Sequence, residues 1–211
     1  MKKKILVGLL SFAHLTPLMA TDYVLKMNDK SFTVSTEKTN MIRINNKTYK
    51  IKLIKKNIQK YISEYVSFNY LSKIQPSKQQ LSPQISQIMM MTPLGSAVLI
   101  QEYKIGNIPK DLMFKTMKKE LSASYSSKNY IISKNEKIIK ELKNSIKLTG
   151  IKYMIKNKST GKIENITKLY LITSSKKSLF IATSFNLIDG LEDKNIKDVL
   201  EIFWDTLNID L

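Results

Sequence analysis

The sequence predicts an α+β fold in which an antiparallel β-sheet packs against flanking helices. Short runs with the alternation and composition of β-strands fill most of the chain, and turn residues separate them. Two amphipathic helical patterns lie among these runs, one near the middle of the chain and one near its C-terminal end. Strands, a helix, further strands and a closing helix are the order expected of an α+β domain.

Residues 1–20 have the order of a secretory signal peptide. Lysines at positions 2–4 precede an apolar run over residues 5–15, and Ala20 stands where a signal peptidase would cut. The stretch from residue 5 to residue 20 is too short to cross a hydrocarbon core of roughly 30 Å, and it contains His14 and Pro17. No cysteine is present, which excludes a lipid-anchored lipoprotein. We therefore expect a periplasmic or secreted protein, cleaved near Ala20, whose mature chain has no membrane span.

Residues 21–44 are predicted to form an N-terminal extension of β-strands, and residues 45–211 the main α+β domain. Four runs at the start of the mature chain, YVLKM, SFTVS, MIRIN and TYKIKLI, have the composition of strands, and asparagine and aspartate supply the turns between them. In TYKIKLI the aromatic and aliphatic residues alternate with Lys50 and Lys52. That alternation indicates a strand with one solvent-facing side.

The following segment is predicted to end in a β-hairpin. Residues 55–65 (KKNIQKYISEY) have no decisive pattern and are compatible with a helical turn, YVSFNY is typical of a strand, and residues 71–83, rich in Pro, Gln and Ser, are expected to form a loop. Residues 84–91 and 97–103 read as two strands around TPLGS, where Pro and Gly stand as a tight connection requires.

Met89, Met90 and Met91 in the first strand of that hairpin pose a choice between a soft-metal site and a packed core. Thioethers bind Cu(I), but several sulfur atoms must converge on one point. On a strand Met90 points away from Met89 and Met91, so that only two of the three could share a metal ion. We therefore expect a core strand that is covered on both faces.

The second half of the chain is predicted as helix, meander and helix. Residues 109–122 form an amphipathic helix, and 135–146 (NEKIIKELKNSI) fit either a strand or a helix. The runs KLTGIKYMIKN, ITKLYLIT and SLFIATSF predict an antiparallel meander. Residues 195–207 form a second amphipathic helix with Asp193 placed to cap it. The apolar stripe of the first helix consists of Met113, Phe114, Met117 and Leu121.

The runs SFNY, TPLGS, LTGIKYMI and IKDVLEIFWDTL, together with the helix that begins at Pro109, resemble the PsbP-like family over residues 45–208. That fold is shared by an extrinsic subunit of the oxygen-evolving photosystem, a Ran-binding nuclear transport factor and bacterial envelope proteins of the DcrB type. The resemblance implies a three-layer α/β/α sandwich around an antiparallel sheet, and it agrees with a non-catalytic role. Histidine-containing metal sites of plant relatives have no counterpart, because the one histidine, His14, lies in the signal peptide.

The lack of histidine and cysteine in the mature chain excludes Ser-His-Asp and Cys-His catalysis and ordinary zinc sites. We therefore expect no enzyme, no cofactor and no metal. A carboxylate pair, as in glycosidases, is the remaining catalytic possibility, which would make the chain a secreted cell-wall hydrolase. The glutamates that could serve are scattered along the sequence: Glu102, Glu120, Glu136, Glu141, Glu192 and Glu201.

The chain is strongly basic, with a formal net charge of +18, and Arg43 is the only arginine. Such a charge predicts weak electrostatic attraction to anionic envelope polymers and no specific nucleic-acid binding. We favour a coding bias toward lysine over a dedicated binding site as the origin of the charge. Lysines interleave with tyrosines in TYKIKLIKKNIQKY, and Trp204 flanks the stripe of the last helix. The candidate binding face from these patterns consists of Lys50, Lys52, Lys55, Lys56 and Trp204.

These observations predict a non-catalytic exported binding or accessory protein that acts through contact with a protein partner in the periplasm. A narrower alternative is an immunity protein that neutralises a periplasm-directed toxin of a rival bacterium. The carboxylate-dependent hydrolase is a third alternative from a different class.

Overall fold

The structure is a computed structural model. It describes residues 22–27, 30–35, 39–52, 57–125, 129–188 and 191–211. The predicted signal peptide, Lys55 and Lys56 lie outside this part of the chain. Two compact units divide after Asn57.

The N-terminal unit contains two antiparallel hairpins in its described residues. β1 (Asp22–Met27) pairs with β2 (Lys30–Ser35), and β3 (Thr39–Ile44) pairs with β4 (Lys47–Lys52). These are the four strands that the residue pattern predicts. Their alternation of polar and apolar residues therefore indicated the local structure correctly.

Asn45 and Asn46 form the turn between β3 and β4, and both have positive φ, 48° and 61°. Asparagine tolerates this left-handed conformation, and two such residues in succession match the twist of a two-residue hairpin. The predicted boundary between residues 44 and 45 falls inside this hairpin, whereas the compact units divide after Asn57.

In the C-terminal unit the elements follow one another as β5 (Ile58–Ile62), β6 (Val66–Leu71), β7 (Ser77–Ser82), β8 (Ile85–Met91), β9 (Ala97–Tyr103), α1 (Lys110–Ser124), β10 (Tyr130–Glu141), β11 (Lys147–Asn157), β12 (Ile163–Thr173), β13 (Ser178–Ile188), β14 (Leu191–Glu192), α2 (Lys194–Thr206) and β15 (Asn208–Ile209). An eight-stranded sheet has the order β10-β11-β12-β13-β9-β8-β7, with β14 beside β13, and a three-stranded sheet has the order β15-β6-β5. All of these pairs are antiparallel. The antiparallel sheet, the meander and the two helical segments are confirmed.

One segment differs from its prediction, and two open choices are decided. The expected loop at residues 71–83 is wrong over β7, whose polar residues form a strand because they pair with β8 at the edge of the sheet. Residues 55–65 had no decisive pattern, and their described part contains the strand β5, which pairs with β6. Residues 135–141 belong to β10, and the segment after them turns back into β11.

Buried apolar residues form two clusters, and alternate residues of β12 divide between them. Leu169 and Leu171 belong to the cluster that contains the buried residues of α1, whereas Tyr170 belongs to the cluster that contains those of α2. Neighbouring residues of a strand point to opposite faces of its sheet. We call these faces the Leu169 face and the Tyr170 face.

The methionine run in β8 lies only partly in the core. Met90 is 1% exposed and belongs to the cluster on the Tyr170 face, whereas Met91 is 41% exposed and Met89 is half-buried. The expectation that these methionines lie on a core strand covered on both faces is therefore right for Met90 and wrong for Met91. Met91 is the last residue of β8 and lies beyond Met89, where the pairing with β7 ends.

Each helix begins close to its predicted start. α1 begins directly after Pro109 and buries the four residues of its predicted stripe. At the start of α2 the side chain of Asp193 accepts a hydrogen bond from the N–H of Asn195, which confirms the predicted cap. Within the described residues neither helix combines the length and apolar character needed to cross a membrane.

Candidate binding surfaces

Lys50 and Lys52 lie two residues apart on β4, so both side chains project from one face of the β3–β4 hairpin. The residue opposite Lys50 on β3 is Met41, which is 60% exposed, and Arg43 lies two residues further along the same face. We call this set (Met41, Arg43, Lys50 and Lys52) the hairpin face. Ile42, which projects from the other side of β3, is buried.

The hairpin face therefore brings three exposed cations together on one short piece of sheet. Arg43 carries the planar guanidinium that binds phosphate or carboxylate through two hydrogen bonds, and Lys50 and Lys52 add flexible ammonium groups beside it. The sequence reasoning missed Arg43, because only the register of β3 against β4 places it with the two lysines.

Trp204 lies in α2 in the other unit and is half-buried. Its ring meets those of Phe203 and Tyr170 edge to face, with centroid separations of 4.8 and 5.4 Å. The Nζ of Lys140, from β10, lies 5.6 Å from the ring centroid of Trp204. That distance allows a cation–π interaction, which in turn holds the ammonium group of Lys140 at the surface.

Gly150 on β11 makes room for the ring of Tyr170, which lies directly opposite on β12. A Cβ at Gly150 would approach Cδ1 of Tyr170 to 2.7 Å and the carbonyl oxygen of Leu169 to 2.2 Å. Burial raises the pKa of Tyr170 to about 12, so its hydroxyl stays protonated at neutral pH. The glycine thus fixes the position of the ring on which Trp204 packs.

Two further lysines lie on the same face of the sheet. Lys152 on β11 is directly opposite Lys168 on β12, and like charges in that position repel each other. The carboxylate of Glu136, 3.4 Å from the Nζ of Lys152, offsets part of this repulsion. The Nζ of Lys168 lies 5.2 Å from the ring centroid of Phe185 on β13.

These residues define one surface, which we call the Trp204 surface. Three lysines accompany the carboxylate of Glu136, so these four groups together carry a positive charge. The aromatic rings beneath supply flat apolar contact area, while the lysines supply hydrogen-bond donors and charge. Such a mixture suits an acidic polypeptide segment that also carries apolar residues. Its members are Lys140, Lys152, Lys168, Tyr170, Phe185 and Trp204.

The predicted binding-face residues thus belong to two units. Lys50 and Lys52 share the hairpin face, whereas Trp204 meets Lys140 and belongs to the Trp204 surface. Sequence reasoning found Trp204 by its flanking position on the helix but missed Lys140, since β10 was left undecided. The alternation of lysines with apolar residues in LTGIKYMI and ITKLYLI was the signal that could have indicated Lys152 and Lys168, the other two lysines of this surface.

The glutamates considered for carboxylate chemistry lie in separate places. Glu102 is buried on the Tyr170 face of β9 and accepts hydrogen bonds from Ser63 and Ser86. Glu120 lies in α1, and burial raises its pKa. Glu136 and Glu141 face Lys152 and Lys147. Within the described ranges, no three acidic, histidine or cysteine side chains come together as a metal site.

Comparison with known proteins gives a diffuse similarity of fold. The chain matches no protein-family model, and its sequence matches no curated protein. Cyanobacterial PsbP (CyanoP) from Synechocystis sp. PCC 6803 is similar in structure, with a TM-score of 0.48 and 12% identity over 73% of this chain and 93% of that chain. A protein from Bacteroides thetaiotaomicron VPI-5482 has a TM-score of 0.40 and 13% identity over 72% of this chain and 48% of that chain. The resemblance to the PsbP-like family is confirmed as a similarity of fold alone.

Proposed function

We propose that this chain is an exported, non-catalytic accessory protein that binds an acidic partner protein through the Trp204 surface. The observation that carries the proposal is the pair of lysine ammonium groups held over aromatic rings, Lys140 over Trp204 and Lys168 over Phe185. Interfaces between proteins are enriched in aromatic residues, and charge complementarity selects and orients the partner. An acidic, partly apolar segment matches both properties.

The fixed geometry of this surface also supports the proposal. Trp204 packs on Phe203 and Tyr170, and both of these are buried, so the indole is held in place before a partner arrives. Less side-chain entropy is lost when a preorganised anchor binds than when a mobile one does. Tryptophan is also among the residues that most often dominate binding energy at interfaces.

The framework that we propose for this role is a three-layer α/β/α sandwich with the eight-stranded sheet in the middle. Its support is the division of the core, in which α1 shares a cluster with Leu169 and α2 shares one with Tyr170. Export rests on the order of residues 1–20. Mass spectrometry of the protein from a periplasmic extract should give an N-terminus at Thr21, and a cytoplasmic full-length chain would contradict export.

Photo-crosslinking in the producing bacterium tests the partner. A photoreactive residue placed at Lys140 should capture one predominant acid-rich envelope protein, whereas the same residue at Lys115, which is exposed on α1, should not. Binding of the purified partner to the K140E/K168E variant should then weaken by about tenfold or more, because each charge reversal juxtaposes like charges. The K115E/K118E variant changes the net charge equally and should bind as the wild type does.

Equal capture at Lys140 and Lys115, or unchanged binding by K140E/K168E, would refute the proposal. If the captured partner is a bacterial toxin, co-expression should protect the cell, and the chain is then the immunity protein of the narrower alternative.

A further inference from the structure

β10 is an edge strand of the large sheet and pairs, among the described residues, with β11 alone. It is 12 residues long, well above the usual length of a strand. An edge strand presents N–H and C=O groups with which a strand of another chain can pair.

The N-terminal part of β10 is protected against such pairing, and the C-terminal part is not. A register shift against β11 between Ile132 and Lys134 bends the strand, which is a common means of blocking an edge. From residue 135 to 141 the pairing with β11 is regular. In the middle of this regular part Ile139 is 72% exposed, although it is a large apolar residue.

We infer that two copies of this chain associate through β10 as antiparallel neighbours, with Ile139 on the twofold axis. A twofold axis perpendicular to the sheet places the same sheet face of both copies on one side. Residues that lie equally far from the axis along the two β10 strands then pair with each other. Lys137 of each copy then lies opposite Glu141 of the other, and Ile139 lies opposite its own counterpart. The interface gains two pairs of opposite charges around an apolar centre.

Other positions of the axis fit less well. An axis at Lys137 or Lys140 would place a lysine directly opposite its own counterpart, which is unfavourable. An axis at Ile138 would pair Glu136 with Lys140, and these residues already contact Lys152 and Trp204. With the axis at Ile139 both of these interactions are retained. Glu141 forms an exposed ion pair with Lys147 at 4.0 Å, which contributes little.

The same symmetry has a consequence that rests on the proposed function. Because the axis is perpendicular to the sheet, the dimer presents both Trp204 surfaces on the same side. A partner with two acidic segments would bind both copies, and the second binding event would be strengthened by its high effective concentration.

Charge exchange across the axis tests the inference, with sedimentation velocity over a range of concentrations as the measurement. The K137E and E141K variants should each raise the dimer dissociation constant by about tenfold or more, because each creates two like-charge pairs. The K137E/E141K double variant restores opposite charges and should recover most of the affinity. Both positions are exposed, and circular dichroism should show an unchanged fold.

A single cysteine gives a second readout, since the chain has none of its own. On a twofold axis the Ile139→Cys variant should oxidise to a disulfide-linked dimer, because only a residue at the axis meets its own counterpart closely enough. Ile131→Cys, on the same strand and also exposed, should remain monomeric under the same oxidation. A wild type that is monomeric at its highest soluble concentration would overturn the inference. A dimer dissociation constant that rises equally in the single variants and in the K137E/E141K double variant would also overturn it.

Discussion

Ser86 donates a hydrogen bond from its Oγ to Oε2 of Glu102 over 2.6 Å, and both side chains are buried. Ser63, from the segment between β5 and β6, donates to Oε1, and Nζ of Lys78 lies 3.5 Å from Oε2. The carboxylate of Glu102 therefore joins the three-stranded sheet to the large one. A buried carboxylate is tolerated only when donors surround it.

Replacement of Ser86 by alanine should lower the free energy of unfolding by about 1–3 kcal/mol, because a buried acceptor loses its donor. Urea unfolding measures the change. Ser122→Ala on the exposed side of α1 is the control and should change stability by less than about 0.5 kcal/mol. A Ser86→Ala protein as stable as the wild type would mean that water or another donor replaces the hydroxyl.

Asp193 should make stability depend on pH in the acid range. Burial alone would raise the pKa of its carboxyl, but hydrogen bonds from Thr92, Asn195 and Ser96 outweigh it and lower the pKa below its ordinary value of 3.8. A group with a depressed folded-state pKa stabilises the protein above its unfolded pKa, and that contribution is lost as pH falls through the folded value. The free energy of unfolding should therefore fall more steeply below pH 3.8 in the wild type than in Asp193→Asn.

Acid titration monitored by urea unfolding gives this comparison. Asp198→Asn, an exposed position in α2, controls for the loss of one carboxylate and should keep the steep dependence of the wild type. Parallel curves for the wild type and Asp193→Asn would contradict the assignment.

Met90 and Met91 should respond differently to truncation although they are neighbours. Met90→Ala should cost about 2–5 kcal/mol, because it opens a cavity in the cluster below α2. Met91→Ala removes a side chain that is 41% exposed and should cost less than about 1 kcal/mol. Chemical unfolding measures both variants, and each serves as the control for the other. Equal losses would show that β8 is covered on both faces after all.

Gly150→Ala should destabilise the protein by about 1–3 kcal/mol through overpacking against Tyr170. It should also shift the fluorescence of Trp204, the only tryptophan of the chain, because Tyr170 supports its ring. Gly161→Ala, at a position of positive φ where a Cβ would meet Cε of Lys156 at 3.7 Å, an ordinary contact distance, should reduce stability without the fluorescence change. An unshifted spectrum for Gly150→Ala would refute this support of Trp204.

The hairpin face should contribute to retention on heparin, which stands in for anionic envelope polymers. The R43Q/K50Q/K52Q variant should elute at lower salt than K115Q/K118Q/K119Q, which removes the same charge from α1. The slope of log affinity against log salt should also become shallower by about one for each anionic group that the variant no longer binds. Equal elution of the two variants would indicate that net charge alone causes the attraction.

Elements whose structure is set by residues adjacent in sequence could be predicted from local patterns. The TPLGS turn is one example, because Gly95 has the positive φ, 79°, that such a turn needs. The Asp193 cap is another, because its side chain accepts a hydrogen bond from the N–H of Asn195, two residues away. β7 escaped prediction because SKQQLS is almost wholly exposed and has no alternation to detect. Only its pairing with β8 makes it a strand.

The segment around Ile138 and Ile139 shows why some choices stay open at the level of sequence. The spacing of its apolar residues fits one side of a helix, yet in the structure Ile138 packs on the Tyr170 face and Ile139 is exposed. Pairing with β11 decides the outcome, and such pairing is not encoded within the segment. The Trp204 surface was only partly predictable for the same reason, because Lys140 reaches Trp204 only through the sheet.

The backbone N–H of Asn69 donates to Oγ1 of Thr206 over 2.8 Å, across a sequence separation of 137 residues. β6 therefore cannot be completed until α2 and β15 have been made, and folds with such distant contacts close slowly, on the millisecond-to-second scale. For the export that we propose, this delay would be favourable, because a chain whose two core ends are still apart is unfolded enough to thread through a translocation channel.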